Sequence, residues 1–261
     1  MNVIDMLDEA RAQTNVLEHP FYERWSAGEL SAPELALYAG EYRHAVLALA
    51  DASAQAAGAA AQPGHRAGLQ RHAEEESAHV ELWDEFARAS ARSAVGGATA
   101  TSTLPVADAL PSADADADAE GRPLAQTEAC AQAWTAGADL LERLAVLYAI
   151  EASQPEISRT KLQGLIEHYG YTPDAPALEY FRLHEHLDVE HAREASELIG
   201  RLLDSHPDPD GKAIRMVQRA RAALDGYWLL LDGVLAAPAC APASSAATST
   251  DSSTPTPTAA A

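Results

Sequence analysis

The chain has 261 residues with 39 acidic and 18 basic side chains, which gives a formal net charge of −21 at pH 7. This negative surplus argues against nucleic acids and anionic membranes as partners, because both are polyanions. The sequence shows neither a run of 18 apolar residues nor a signal peptide, and two cysteines, Cys130 and Cys240, make no disulfide framework. We therefore expect a cytoplasmic protein.

The elements in chain order are all helical. We predict helices over residues 4–17, 21–25, 31–57, 63–91, 126–169, 178–199 and 210–235. Ser31 and Glu34 form a capping box that starts the third of these helices. Pro155 is expected to kink the helix over 126–169. No stretch alternates with period two for long enough to form a strand, so the predicted fold class is an all-α bundle.

Two segments have the composition of disordered chain. Residues 93–124 combine small polar residues with an Asp-Ala run, and residues 237–261 are mainly Ala, Pro, Ser and Thr. We interpret the first as a disordered acidic insert and the second as a disordered tail. The remaining residues, 1–92 and 125–236, have the length of one domain and form a single helical metal-binding domain in this interpretation.

The helix over 178–199 carries the strongest functional signal. Helical steps of about 100° place His184, Asp188 and His191 within about 60° of one another, on the side that also carries Tyr180 and Leu198. Two imidazoles and a carboxylate on a buried face would be destabilising without a partner. Iron, manganese or zinc accepts this set of ligands. The alternative is a solvated helix edge with scattered histidines.

Acidic residues face inward on three other helices. Glu41 shares a face with apolar residues, and Glu151 follows an apolar run. On the helix over 63–91, His79 lies on the apolar stripe, and Glu75 and Glu76 flank that stripe about equally. Acids on three helices and His184, Asp188 and His191 on a fourth are typical of a dinuclear carboxylate site inside a bundle. A ferritin-like arrangement built on Glu41-x2-His44 and Glu76-x2-His79 is the second possibility.

Several of these segments resemble a known family, the haem-oxygenase-like di-iron oxidases, which share the TenA/PqqC-like fold. Within the family the chain is most similar to the para-aminobenzoate-forming group that includes the chlamydial death-domain-associating protein. The motifs that carry this resemblance are His19-Pro20-Phe21-Tyr22, His79-x3-Trp83 preceded by Glu75-Glu76, Leu147-Tyr148-x2-Glu151 followed by Lys161, and Tyr180-Phe181-x2-His184-x3-Asp188-x2-His191.

The resemblance implies a seven-helix bundle that holds two metal ions, either both iron or one iron and one manganese. It implies an oxidoreductase that uses dioxygen and an external reductant to supply para-aminobenzoate for folate synthesis. By position in the motifs, the implied metal ligands are Glu41, Glu76 (with Glu75 as its alternative), His79, Glu151, His184, Asp188 and His191.

In this group the protein itself is the implied substrate. Tyr22 stands at the position that supplies the aromatic ring, and Lys161 stands at the position that supplies the amino group. Lys161 is one of two lysines in a chain whose other basic residues are Arg, and an amine donor cannot be replaced by guanidinium. Ile150 occupies the position of a tyrosine beside the ligand glutamate in the chlamydial protein, so Tyr38 or Tyr148 would take over its role.

Two other functions are compatible with the same residues. One is a related oxidase that acts on a separate small molecule, as in the TenA-like and PqqC-like branches. The other is a metal-free helical binding protein. Metal analysis separates the binding protein from both oxidases, and a homodimer is among the assemblies that the sequence allows.

Overall fold

The structure is a computed structural model that describes residues 2–99 and 122–238, and every regular element in these ranges is helical. The all-α prediction is therefore confirmed. The α-helices of these ranges are α1 (Val3–Gln13), α2 (Pro20–Ser26), α3 (Ala32–Ala59), α4 (Pro63–Thr99), α5 (Ala125–Thr135), α6 (Leu140–Glu151), α7 (Gln154–Glu167), α8 (Glu179–Asp204) and α9 (Pro209–Ala236).

The segment predicted as one helix over 126–169 is three helices, so that prediction was wrong. A first break separates α5 from α6, where the Asp139 side chain accepts a hydrogen bond from the Glu142 amide at 3.2 Å and starts the new helix. A second break separates α6 from α7 at residues 152–153. Pro155 lies in the first turn of α7, where its missing N–H needs no partner, and it does not kink a continuous helix. Because of these two breaks, the described residues form nine α-helices instead of the expected seven.

Other boundaries differ by smaller amounts. The capping box before α3 is present, with Ser31 Oγ accepting from the Glu34 amide and Glu34 accepting from the Ser31 amide. The first helix ends at Gln13, and a short 3-10 helix covers Val16–Glu18. Helix α4 continues to Thr99, so residues 93–99 of the predicted insert are helical. The rest of the insert to residue 121, and the tail from residue 239, lie outside the described residues.

The helices pack in a pattern that places α4, α6 and α8 around one interior space. Helix α3 packs along α4 and against α5, while α6 contacts both α8 and α9, and α7 packs along α8. One part of the core is rich in aromatic side chains, including Tyr42, Trp83 and Phe181. A second part is aliphatic and includes Leu144 and Met216. Within the described ranges, no helix is long and apolar enough to cross a membrane.

A buried ion cluster ties the beginning of α6 to α9. Lys212 is only 1% exposed, and its Nζ donates to Asp139 Oδ2 at 2.6 Å and to Glu142 Oε1 at 2.7 Å. Arg219 approaches the same Glu142 carboxylate to 3.5 Å. Because Glu142 is itself buried, the lysine supplies the charge that makes its burial tolerable. One of the two lysines of the chain is thus structural.

Replacement of Lys212 by Met should destabilise the fold without touching the interior space between α4 and α8. Removing one partner of a buried pair costs about 3 kcal/mol or more. Arg88→Met removes an exposed pair with Glu85 and should change the free energy of unfolding by less than about 1 kcal/mol. Thermal and urea unfolding of both variants measure the difference. Equal stabilities would show that the Lys212 pairs do not support the fold.

Candidate metal centre

Helix α8 presents three polar side chains to the interior at the spacing i, i+4 and i+7. His184, Asp188 and His191 are 0%, 1% and 6% exposed. His184 Nδ1 lies 2.7 Å from the Tyr180 carbonyl oxygen, which can only accept, so Nδ1 carries the hydrogen and Nε2 points inward as a potential ligand. The Tyr180 ring stacks on this imidazole with a centroid distance of 3.9 Å.

Helix α4 presents a second set at the same spacing. His72, Glu76 and His79 occupy positions i, i+4 and i+7 of this helix, and Glu76 is 1% exposed. The two helices therefore carry the same pattern, His-x3-acid-x2-His. The sequence-based ligand set did not include His72, and the repeated pattern is the signal that could have identified it.

The two sets face each other with α4 and α8 running in opposite directions. The ring centroids of His72 and His191 are 4.1 Å apart, and those of His79 and His184 are 4.6 Å apart. Glu76 Oε1 lies 3.3 Å from His79 Nδ1 and 3.7 Å from His191 Nδ1, so this carboxylate lies between the two histidine pairs. Glu151, the last residue of α6, completes the cluster from a third helix.

The distances between the potential ligand atoms suit metal ions. Two atoms bound to one ion at about 2.1 Å are separated by about 3.0 to 4.2 Å, depending on the angle between them. Glu151 Oε1 lies 3.0 Å from His72 Nε2, without hydrogen-bond geometry, and Asp188 Oδ1 lies 3.5 Å from His191 Nδ1. Among the described residues, two groups of three side chains have ligand atoms close enough to share an ion, and both lie in this cluster. One is His72, Glu76 and His191, and the other is Glu76, His79 and His184.

Hydrogen bonding indicates that a cation belongs in this cluster. In the described residues, 13 buried side-chain nitrogen and oxygen atoms have no hydrogen-bond partner within the protein. Nine of them belong to this cluster, and each is a nitrogen or a carboxylate oxygen that could bind a metal. Unpaired buried polar groups are destabilising, so their concentration at one place needs a physical explanation. Two divalent ions would satisfy these atoms, and the residues therefore fit a dinuclear centre.

The carboxylates and imidazoles of the cluster also perturb one another's pKa values. Burial lowers the pKa of His191, but Asp188, Glu151 and Glu76 outweigh this effect and raise it to about 9. Burial raises the pKa of Asp188 by more than its histidine neighbours lower it. Both shifts favour the protonated forms, so metal binding at these residues would compete with protons.

Two predicted ligands occupy other positions. The Glu41 carboxylate accepts hydrogen bonds from the Leu124 amide and the Thr127 hydroxyl at the start of α5. It does not join the cluster, because the Leu124 amide and the Thr127 hydroxyl hold it at the start of α5. Glu75 is half-exposed, and its Oε2 lies 3.1 Å from the outer nitrogen, Nε2, of His191. Glu76 therefore faces the cluster, and Glu75 contacts His191 from outside it.

The other four unpartnered atoms belong to Tyr38 and to three buried residues of α7, and one of them is the amine of a second buried feature, the lysine chamber. They are Tyr38 Oη, Gln154 Oε1, Ser158 Oγ and Lys161 Nζ. The rings of Tyr22, Tyr38, Tyr42, Trp83 and Phe181 enclose the Lys161 amine, with Tyr42 nearest at 4.3 Å from Nζ to its centroid. Burial holds the pKa of Lys161 well below its usual value and so favours the neutral form of the amine.

The lysine chamber adjoins the metal cluster. The Trp83 ring is 5.6 Å from Lys161 Nζ and 4.9 Å from the Tyr180 ring, which stacks on His184. Tyr22 and Tyr38, two of the tyrosines proposed from the sequence as reactive, both line the chamber. Tyr148 does not, because its hydroxyl donates to Asp8 Oδ1 at 2.8 Å near the N-terminal helix.

Glu76→Gln and Glu41→Gln test this assignment as a matched pair. Glu76→Gln keeps the shape of the side chain but removes the charge between the two histidine pairs, so we expect bound iron to fall to half or less. Glu41→Gln keeps an oxygen for the α5 amides, so the metal content of this variant should equal that of the wild type. Metal analysis after anaerobic loading with ferrous iron measures both. Reduced iron content in Glu41→Gln, together with normal iron content in Glu76→Gln, would place Glu41 and not Glu76 in the metal site.

Comparison with known proteins agrees with this site. The sequence model of a family described as iron-containing redox enzymes matches residues 37–228, a range that includes all of the cluster. A 4-aminobenzoate synthase of Chlamydia muridarum is 29% identical, with 92% of this chain and 93% of that protein covered. A 4-aminobenzoate synthase of Chlamydia trachomatis serovar D is 30% identical, with 92% and 95% covered.

Among solved structures, a TenA homologue from Pseudomonas syringae pv. tomato has the same fold. Its TM-score is 0.66 at 18% identity, and the superposition covers 89% of this chain and 91% of that one. The resemblance in fold and the family match agree with each other and with the motifs in the sequence. The chain therefore belongs to the haem-oxygenase-like family of iron-containing redox enzymes.

Proposed function

We propose that this protein is a dioxygen-dependent dinuclear oxidase that produces 4-aminobenzoate from its own Tyr22 and Lys161 side chains. The observation that carries the proposal is the fully buried Lys161 amine, which is enclosed by tyrosine rings beside the metal cluster. The names of the chlamydial relatives support the product. The chain covers more than nine tenths of each of them.

The metal centre would be held by the facing residues of α4 and α8 together with Glu151. When iron is bound, it supplies the redox chemistry that activates dioxygen. The protein contributes a closed aromatic interior that excludes water from reactive species. It also holds the Tyr22 hydroxyl 2.7 Å from the Tyr227 hydroxyl, which fixes the orientation of the Tyr22 ring.

Lys161 is suited to donate nitrogen because no acidic side chain of the described residues pairs with its amine. A neutral amine keeps the lone pair that a nitrogen nucleophile requires. Lys212, the other lysine, is equally buried but forms two ion pairs. An arginine at position 161 would stay charged and could not act in this way. The contrast between the two lysines separates a reactive amine from a structural ammonium group.

The choice of Tyr22 as the source of the ring rests on its position in the family motif. Tyr42 lies nearer to the amine, with its ring centroid 4.3 Å from Nζ compared with 5.9 Å for Tyr22. The Tyr42 hydroxyl accepts a hydrogen bond from Gln154 at 2.9 Å. Both tyrosines must therefore be varied in the same experiment.

Tyr22→Phe and Lys161→Met should each abolish product formation while metal content stays normal. Tyr22→Phe removes the hydroxyl that makes the ring an oxidisable phenol and that the amino group would replace, and Lys161→Met removes the nitrogen that the product contains. Tyr148→Phe and Lys212→Arg are the matched controls outside the chamber and should still form product. Protein that contains ring-labelled tyrosine, incubated with iron, a reductant and dioxygen, should give labelled 4-aminobenzoate, with no more than one molecule per chain.

Other outcomes of this experiment change the assignment. Product lost in Tyr42→Phe but retained in Tyr22→Phe would make Tyr42 the source of the ring. Unlabelled product, or many turnovers per chain, would contradict self-sacrifice and indicate an oxidase of a separate small molecule.

Lys161→Met should also raise the melting temperature at neutral pH. The folded-state pKa of Lys161 lies below its unfolded value of about 10.4, so the unfolded chain binds more protons at neutral pH. The free energy of unfolding of the wild type therefore rises with pH up to that value, and the advantage of the Met variant should shrink toward pH 10. Thermal unfolding from pH 7 to 10 measures this. A melting temperature of Lys161→Met below that of the wild type would mean that Lys161 stabilises the fold.

A further inference from the structure

The metal cluster is built from two copies of one local pattern. His72, Glu76 and His79 on α4 repeat the spacing of His184, Asp188 and His191 on α8. Because the helices run in opposite directions, the first histidine of each copy meets the last histidine of the other. The arrangement has an approximate twofold axis that passes between the two helices, near Glu76.

We propose that the repeated His-x3-acid-x2-His pattern gives each of two ions a pair of imidazoles, and that His72 makes the second site selective for iron over manganese. The proposal rests on the proposed metal-dependent function. In this arrangement His79 and His184 hold the first ion, and His72 and His191 hold the second. Glu76 lies between them with Asp188 and Glu151, so four imidazoles accompany three carboxylates.

His72 has the contacts that a ligand requires. Its Nε2 is buried without a hydrogen-bond partner and lies 3.0 Å from Glu151 Oε1 and 3.8 Å from Glu76 Oε1. These separations are similar to the 3.5 Å between Asp188 and His191 on α8. A structural histidine at this position would be expected to satisfy both ring nitrogens, whereas His72 presents one to the same centre as His191 Nδ1.

The two sites differ in their surroundings. His79 and His184 are buried and do not line a cavity that opens to solvent. The side chain of His72 is 12% exposed and lines a cavity of about 210 Å³ between α4, α6 and α8. His65, Gly68, Leu198 and Glu194 contribute to the walls of this cavity. The second ion is therefore the one that exchanges with solution.

The choice of metal follows from the kind of ligand. Imidazole suits iron, whereas carboxylate and water suit manganese, and affinity at a common site already favours ferrous iron over manganous ion. A histidine at position 72 adds a nitrogen ligand without adding charge. A glutamate there would add an anionic oxygen ligand and reduce the preference for iron.

The first test counts ligands and ions. His72→Ala should lower the metal content of ferrous-loaded protein from two ions to one per chain, as His191→Ala should. His65→Ala, in the wall of the same cavity, and His186→Ala, on the outer side of α8, should retain both ions. Two ions in His72→Ala would overturn the proposal.

Unmodified protein gives a second readout that does not depend on the folding of a variant. Proton NMR spectra of the protein loaded with Co²⁺ should show four exchangeable imidazole N–H signals shifted by the metal. Three signals would overturn the role of His72 and leave the dinuclear centre intact. A protein that binds no metal would overturn this inference together with the proposed function.

The second test measures selectivity. Metal-free wild type, His72→Glu and His65→Glu are offered equal ferrous and manganous ion without oxygen, and the bound metals are counted. We expect the manganese-to-iron ratio of His72→Glu to exceed that of the wild type, because an anionic oxygen ligand takes the place of an imidazole. His65→Glu adds the same charge to the cavity wall and should not change the ratio. An equal ratio in all three proteins would contradict selection by His72.

Discussion

The structure depends on the burial of carboxylates and imidazoles between α4 and α8 without partners from the protein. Nine potential ligand atoms converge there, and hydrogen bonding within the described chain satisfies none of them. Only protons or metal ions can neutralise such a cluster in a low-dielectric interior. The rest of the bundle must supply the stability that this arrangement removes. Its aromatic core and the Lys212 ion pairs contribute to that stability.

The lysine chamber, next to the metal cluster, also buries a polar group without a hydrogen-bond partner in the described chain. Lys161 is buried among aromatic rings with no acid to balance it, which favours the neutral amine at the expense of stability. The chain contains another buried lysine, Lys212, and its charge is balanced in the usual way, by ion pairs with Asp139 and Glu142. Proteins retain such locally unfavourable groups chiefly where function requires them.

The metal cluster and the lysine chamber are neighbours, and this proximity determines which side chains a bound metal could act on. Trp83 and Tyr180 fill the space between the amine and His184, so the metal centre and the tyrosine rings share one water-poor interior. The family match identifies an iron-containing redox enzyme. A redox centre next to a buried amine and several phenol rings is the arrangement that the proposed chemistry on the protein's own side chains requires.

The sequence by itself determined the all-α class, the capping box at Ser31 and the inward face of α8, because these depend on local hydrogen bonds and on the helical period. The scarcity of lysine also drew attention to Lys161. The tertiary structure alone decided that His72 joins the cluster and that Glu41 caps α5 instead. It also decided that Glu76, and not Glu75, faces the cluster. Periodicity indicates on which side of a helix a residue lies, but the neighbouring helix that it meets depends on packing between segments far apart in the chain.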